Sequence, residues 1–599
     1  MEKYNSRKEV PDKYKWDLTD FYKNDKDFEE SLKKTTELVN ILENYKGCTK
    51  DPKKLYEYLN LSFESIRLWE NLYVYSYLIH DQELGVRSSI ERKNKTLILM
   101  NELDKSNAFF VPELLKLTKE EYENLFKFDK LNEYRIYLDD LFREKPHVLT
   151  ENEEKIVSEL INSMNNFSDI SSTMLNNEHN YGKIKLEDGS VEVIATNNFR
   201  KLTKNKDINI RKKVYNSFNK KLDEYSSINA MLLNSYVNMN NSIAKIRHFD
   251  SVWDKKLFSL NLTNKVFHSL VSATENNLDV LQKYYKLRKK VLGLDKLNKY
   301  DMNLELSKSN KEYSIEESEK ILLEVVKPLG EDYLSHFKKI FDNKYIDYCQ
   351  YKGKESGAYS CSTLDKDSRI LMSFNGDLDA VSTIAHEGGH NVHHQYVTEE
   401  NPIQYRSTPT IVAEVASLTN ECLLSNYIVN NSNDKNEKLS GLENIIRVIV
   451  SNLYGAVREG KMEQDMYEYV LNGNTLTKEY LDNLTKKSLK KYYGNEVVID
   501  KHAKNDWVNR SHYYSCFYLY SYAISISVAT SVASRILDGD KEMLNNYIKF
   551  LKTGSDKYPK DVFSVLGVDI ENEEVYLSAI KYLEELIKTF EEIYFDKEV

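Results

Sequence analysis

Four of the chain's 12 histidines fall between positions 386 and 394, in Ala385-His386-Glu387-Gly388-Gly389-His390-Asn391-Val392-His393-His394. The pattern His386-Glu387-x-x-His390 carries chemistry only if the segment is an α-helix. Residues four apart then leave the same face, so the two imidazoles converge. That convergence is what two nitrogen ligands of a tetrahedral Zn²⁺ require. Glu387 is turned about 100° away from His386, which sets its carboxylate beside the metal position rather than on it. There it can take a proton from an attacking water. The spacing predicts a helix capped by Asp377 or Asp379, with an apolar stripe of Val381, Ile384, Ala385, Val392 and Tyr396, and ended by Asn401-Pro402. Gly388 and Gly389 cost such a helix roughly 1 kcal/mol each relative to Ala. Close-packed backbone or ligand is therefore expected against them.

A third ligand decides the kind of site. Gly at 393 and His at 396 would mark the metzincin pattern, but the chain has His393 and Tyr396, which excludes it. Downstream, Thr408-Pro409 is a good N-cap and first-turn pair for a second helix. Early in that helix Glu414 stands among Ile411, Val412, Val415 and Leu418. A carboxylate in such company is expensive to bury unless it is paired or bound to metal. We assign Glu414 as the third ligand, with His393 as the alternative. Glu421, seven positions later on the same face, would orient a ligating imidazole; a solvated helix charge is the other reading.

The remaining sequence places this motif in a helical, globular chain. Only 19 Gly and 8 Pro occur in 599 residues, which argues against turn-rich all-β folds and long linkers. Apolar residues make up 41% and charged residues 30%, so disorder is excluded and several folding units are expected. Thr263 opens a helical stripe of Val266, Phe267, Leu270, Val271, Leu278, Leu281 and Tyr285. Thr150-x-x-Glu153 reads as a capping box ahead of Ile156, Val157, Leu160, Ile161, Met164 and Phe167. Lys183 to Ile194 alternates around Asp188-Gly189, a hairpin signal. A boundary near residue 200 is expected after it, giving an N-terminal helical domain (1–200) and a catalytic domain (201–599).

The net charge of −10 disfavours nucleic-acid binding. The five Cys are scattered, with no disulfide framework or CxxC pair, which fits a reducing compartment. The start shows no apolar leader core, and Ala523 to Ala533 is too short and too polar to span a membrane. A cytoplasmic protein without membrane association is expected.

Several segments together resemble the oligoendopeptidase F branch of the thimet oligopeptidase-like zinc peptidases. They are Ser356-Gly357-Ala358-Tyr359, Ile370-Leu371-Met372-Ser373-Phe374, Ala385 to His393, Ala413-Glu414-Val415-Ala416-Ser417, and His512-Tyr513-Tyr514-Ser515-Cys516-Phe517-Tyr518-Leu519-Tyr520-Ser521-Tyr522-Ala523. Gly388 departs from the family, which often carries a bulky apolar residue there. The resemblance implies a mainly α, ellipsoidal fold with a deep channel between two halves and a small β element beside the zinc helix. It also implies one Zn²⁺ per chain and cleavage of internal bonds in short peptides. Ile370, Leu371, Met372, Ser373 and Phe374 are expected to form a strand edge that binds substrate backbone.

Tyr513, Tyr514, Tyr518, Tyr520 and Tyr522 crowd one segment, and a neutral phenol can donate to a developing oxyanion. By the resemblance, Tyr522 and His512 take that role, with Tyr518 next to them at the substrate. Tyr is abundant in this chain (44 residues), so packing is the competing explanation for any one of them. A monomer is expected, a homo-oligomer being the alternative. Two other functions compete with the endopeptidase: a metallocarboxypeptidase of related helical fold, and a non-catalytic interaction protein with an incidental metal motif.

Overall fold

Side-chain caps set many of the helix boundaries. Asn24 opens Asp25–Leu42 by accepting from the Asp27 N–H, and Asp51, followed by Pro52, opens Pro52–Gln82. Thr263 caps Asn264–Asn276, whose Val266, Phe267 and Leu270 are buried, as are Leu278, Leu281 and Tyr285 of Leu278–Val291. The computed structural model describes residues 4–150, 153–154, 156–157, 166–177, 180–309 and 311–595. The fold is mainly α, as its periodicity predicts. Among the described residues, no single helix is long and apolar enough to cross a membrane.

The capping contact at Thr150 forms, with its N–H and hydroxyl on the Glu153 carboxylate. Of the stripe that follows, Val157 is buried but Ile156 is exposed, so it is not core. Leu160, Ile161 and Met164 lie outside the described residues. The hairpin pairs Lys183–Lys185 with Val191–Val193 in antiparallel register, and Gly189 supplies the positive φ of its turn.

The chain divides into two compact units, each assembled from separated stretches. One comprises residues 1–146, 311–424 and 532–567, the other 147–310, 425–531 and 568–599. Residue 200 thus falls inside the second unit.

In the first unit, Asp25–Leu42, Pro52–Gln82 and Arg87–Asn107 share one core that includes Phe28, Val39, Leu55, Tyr58, Leu72, Leu78, Leu99 and Leu103. Leu371 belongs to the same cluster, and Tyr359 and Cys361 pack on it. That contact anchors a three-stranded sheet whose order is Ile346–Asp347, Arg369–Leu371, Tyr359–Cys361, the first pair parallel and the second antiparallel. Two buried cations hold the sheet. Arg369 reaches Asp20 at 2.6 Å and the Asp17 carbonyl at 3.0 Å. The Lys354 ammonium, wholly enclosed, meets Asp347 at 2.7 Å and the carbonyls of Cys349 and Met372 at 2.9 and 2.7 Å.

This topology corrects one expectation. Ile370 and Leu371 lie in the central strand and are wholly buried, paired on both sides. Just beyond them, Met372 and Phe374 donate their N–H groups to Asp347 and Tyr348, and Ser373 donates its hydroxyl to Gln350. At Ile370 and Leu371 a strand paired on both sides has no edge left to offer a peptide, whereas Met372 to Phe374 are bonded on one side only. The sheet's edge beside the motif is Tyr359–Cys361 instead.

Candidate active site

The motif occupies the helix Leu378–Glu400. Asp377 caps it by accepting from the Ala380 N–H at 2.8 Å, and Asn401 ends it before Pro402. The two glycines answer close contacts. A Cβ at Gly388 would stand 2.6 Å from the Phe337 ring, and one at Gly389 would stand 2.7 Å from the backbone of Ala416. The second contact brings in the helix Thr410–Asn431, which carries Glu414 and Glu421. Asn420 of that helix also donates to the Ala385 carbonyl at 3.1 Å, which locks the two helices in register.

His386, His390 and Glu414 each turn one ligand atom to a common point, all within 4.8 Å of one another. Glu414 Oε2 lies 3.6 Å from His386 Nε2 and 3.7 Å from His390 Nε2. Ligands at about 2.0–2.1 Å from a tetrahedral ion are separated by about 3.4 Å, so these three fit a metal with little adjustment. His393 does not join them. It is buried against Phe550, and burial pushes its imidazole down to about 3.

The electrostatics also fit a cation. Glu421 is nearly buried, and its Oε1 stands 2.7 Å from His386 Nδ1 while Oε2 accepts from the Ser382 hydroxyl at 2.9 Å. That contact fixes the ring so that Nε2 faces Glu414. Burial opposes a charge on His386, but the Glu421 bond and the nearby Glu387 and Glu414 outweigh it and raise the ring to about 9. The surrounding carboxylates thus draw positive charge to this point. His390, lacking such a partner, is pushed well down by burial and by His386. Glu414 is raised by burial and accepts from the Ser417 hydroxyl at 3.1 Å.

Glu387 is buried beside this group but is not part of it. Burial pushes its carboxyl up to about 6, while His386 and the Ser360 N–H act the other way. Ser360 is the middle residue of the edge strand Tyr359–Cys361, a connection that sequence reasoning missed. Its signal was present in Ser356-Gly357-Ala358-Tyr359, but strand order is not readable from it. Tyr359 in turn donates to Asp81 at 2.9 Å, which ties the edge strand to Pro52–Gln82.

The remaining candidates lie in the second unit. His512, Tyr518 and Tyr522 form a half-buried ring cluster, with centroids 6.1 Å (His512–Tyr518), 6.2 Å (His512–Tyr522) and 5.2 Å (Tyr518–Tyr522) apart. Burial pulls His512 below its ordinary value. Tyr513 and Tyr520 are buried in the core, which removes them as substrate contacts.

A helical fold with a His-Glu-x-x-His helix facing a glutamate from the next helix defines a metallopeptidase. Comparisons with known proteins specify which. Residues 201–582 match the pattern of Peptidase family M3, and residues 113–180 match that of Oligopeptidase F. The chain belongs to Peptidase family M3. It is 30% identical to the oligopeptidase PepF of Bacillus subtilis over 98% of this chain and 88% of that one. It is 29% identical to the plasmid oligoendopeptidase F of Lactococcus lactis subsp. cremoris over 98% of both. Among solved structures, a putative peptidase from Chlamydophila abortus superposes with a TM-score of 0.87 at 26% identity, covering 98% of this chain and all of that one. The oligoendopeptidase-F of Enterococcus faecium shares the fold with a TM-score of 0.73 at 24% identity, covering 95% of this chain and 99% of that one. The chain is a metallo-oligopeptidase, and the endopeptidase reading fits these relatives better than the carboxypeptidase one.

Proposed function

We propose that the chain is a zinc endopeptidase that hydrolyses internal bonds of short oligopeptides, with one Zn²⁺ held by His386, His390 and Glu414. The observation that carries this reading is the spacing of the three donor atoms, 3.6 and 3.7 Å across Glu414. When bound there, zinc supplies Lewis acidity toward a carbonyl oxygen and lowers the pKa of water. Glu387 takes the proton of the attacking water and passes it to the leaving amine; a carboxyl raised by burial suits both transfers. Glu421 and Ser382 keep His386 in its ligating orientation.

Substrate backbone adds to the edge strand Tyr359–Cys361, where main-chain hydrogen bonds accept many sequences. Ser360 of the same strand favours the Glu387 anion, which sets the strand beside the base. His512 and Tyr522 donate to the oxyanion and Tyr518 contacts the substrate; the clustering of their rings supports a shared task.

The reading extends to a monomer, and to a cytoplasmic enzyme without nucleic-acid partners, the latter two supported by the scattered cysteines and the net charge of −10. It also keeps residues 201–599 as the catalytic part, supported by the family match that begins at 201. The test is product mapping on an internally quenched peptide series, with metal analysis of the wild type and of Glu387→Gln. Internal cleavage, about one zinc per chain, and loss of activity but not of zinc in the variant are expected. Release of single C-terminal residues, or activity retained by Glu387→Gln, overturns it.

A further inference from the structure

One face of the helix Ala456–Leu471 seats the tyrosine-rich segment at successive turns. At Gly460 the Tyr520 ring lies so close that a Cβ would be 2.6 Å from it. At Glu463 the Oε1 atom accepts the Phe517 N–H at 2.8 Å. At Tyr467 the hydroxyl lies 3.4 Å from Cys516 Sγ. Positions 460, 463 and 467 follow the i, i+3, i+7 spacing of a single helix face. At the start of the segment, Arg510 pairs with Glu459 of the same helix at 2.8 Å.

The segment between these contacts is strained. Cys516 and Phe517 have φ of 25° and 59°, in the left-handed region that side chains other than Gly rarely occupy. Such backbone persists only where its surroundings over-determine it, and it concentrates at functional sites. Phe517 is buried between Trp253 and Tyr467. Tyr236 adds a hydrogen bond to the Tyr514 carbonyl at 2.8 Å. The turn separates His512 from Tyr518 and Tyr522, so its geometry sets how the three rings meet.

Glu463 is an odd choice for packing alone. It is 1% exposed, and among the described residues its Oε2 has no hydrogen-bond partner. A carboxyl so placed costs free energy that a Leu of similar size would not. Among the described residues, its hydrogen bond is the one from the N–H of the strained residue.

We propose that Glu463 is a positioning residue for catalysis: through the Phe517 N–H it pins the left-handed turn at Cys516–Phe517 and thereby fixes where His512, Tyr518 and Tyr522 present their polar ends. The role rests on the reading that those three side chains act on the substrate. Gly460 and Tyr467 complete the seat.

The test uses the full-length, zinc-loaded enzyme. Glu463→Leu removes the acceptor; Glu463→Asp keeps the carboxyl but shortens its reach; Glu463→Gln keeps an acceptor oxygen at the same reach. Misplacement of this kind lowers kcat by about 10- to 100-fold. We expect that loss in the Leu and Asp variants with KM changed less than about threefold, and recovery toward wild type in Gln. In a Tyr522→Phe background the Leu or Asp loss shrinks, because both changes disable one group. Wild-type kcat in a folded Leu or Asp variant, or a loss that multiplies fully with Tyr522→Phe, overturns the positioning role. If Leu does not fold, Asp decides alone. If His512→Ala and Tyr522→Phe both keep wild-type kcat, the reading of the segment falls and the role of Glu463 falls with it. If they lose kcat and the Glu463 variants do not, only the positioning is refuted.

Discussion

Gly389 of the motif helix lies against Ala416 of the following helix so closely that a Cβ at 389 would be 2.7 Å from the Ala416 carbonyl oxygen. Backbone cannot swing aside as a side chain can, so Gly389→Ala must separate the helices that bear His386, His390 and Glu414. Overpacking of this kind costs about 1–3 kcal/mol. The variant should lose several degrees of Tm and bind zinc more weakly. Gly388→Ala, which meets only the Phe337 ring at 2.6 Å, should do less. Thermal scans and metal analysis of the two variants check the order; equal effects would refute the backbone account.

Glu421 holds no ligand position, yet it decides which nitrogen of His386 faces Glu414. Glu421→Gln should weaken zinc binding by about 10- to 100-fold while the fold is kept, the usual effect of removing a carboxylate that orients a ligating His. Ser382→Ala, which removes one hydrogen bond to Glu421, should weaken it less. Competition against a fluorescent chelator measures both. Wild-type affinity in Glu421→Gln would show that the ring is held by other contacts.

Lys354 is enclosed with Asp347 and bonds the carbonyls of Cys349 and Met372. Breaking a buried pair typically costs about 3–5 kcal/mol where a charge is left uncompensated. Arg7 still faces Asp347, so the loss here falls on the Lys354 pairing itself and on the carbonyls of Cys349 and Met372, which lose their donor. Lys354→Met should therefore lower Tm strongly. Asp347→Asn added to it should not restore the loss, because Arg7 already compensates Asp347 in the single variant and is left without that partner in the double one. A double variant clearly more stable than the single one would show instead that Arg7 does not neutralise Asp347.

What the sequence revealed depended on how local the determinant was. His386 and His390 were legible because helical geometry alone brings them together. Glu414 was legible as an acid out of place among apolar neighbours. The burial of Glu421 was not, since a helix charge seven residues on is equally at home in water until its partner His386 is seen across the gap. Strand order failed for a related reason. Ile346 pairs with Ile370 and Tyr359 with Leu371, and no local pattern says which of three short strands lies between the other two. The sequence therefore points to Ile370 to Phe374 as the edge, of which Ile370 and Leu371 lie in the central strand. The tyrosines of 513–522 could not be sorted either, because Tyr packs and hydrogen-bonds equally well. Only tertiary structure separates buried Tyr513 and Tyr520 from the ring cluster with His512.

Glu463 also makes a prediction about stability that does not depend on catalysis. Burial raises its carboxyl from an ordinary 4.5 to about 8, against the Phe517 N–H and Lys256, which both favour the anion. The other titratable groups near it, Tyr236, Tyr467, Tyr513 and Tyr520, add no positive charge. Below pH 4.5 both folded and unfolded chains hold the proton, and the stability linked to this group is fully present. Between about 4.5 and 8 the unfolded chain has released a proton that the native state keeps, so stability falls as pH rises. Above 8 the effect levels off. Glu463→Gln cannot ionise, so its stability relative to the wild type should grow with pH across that window, by on the order of a few kcal/mol in all. Thermal scans of both proteins at about pH 5, 6.5 and 8 measure the gap. A gap that stays constant across the three would mean that Glu463 is already ionised in the fold, and that a counter-charge reaches its Oε2.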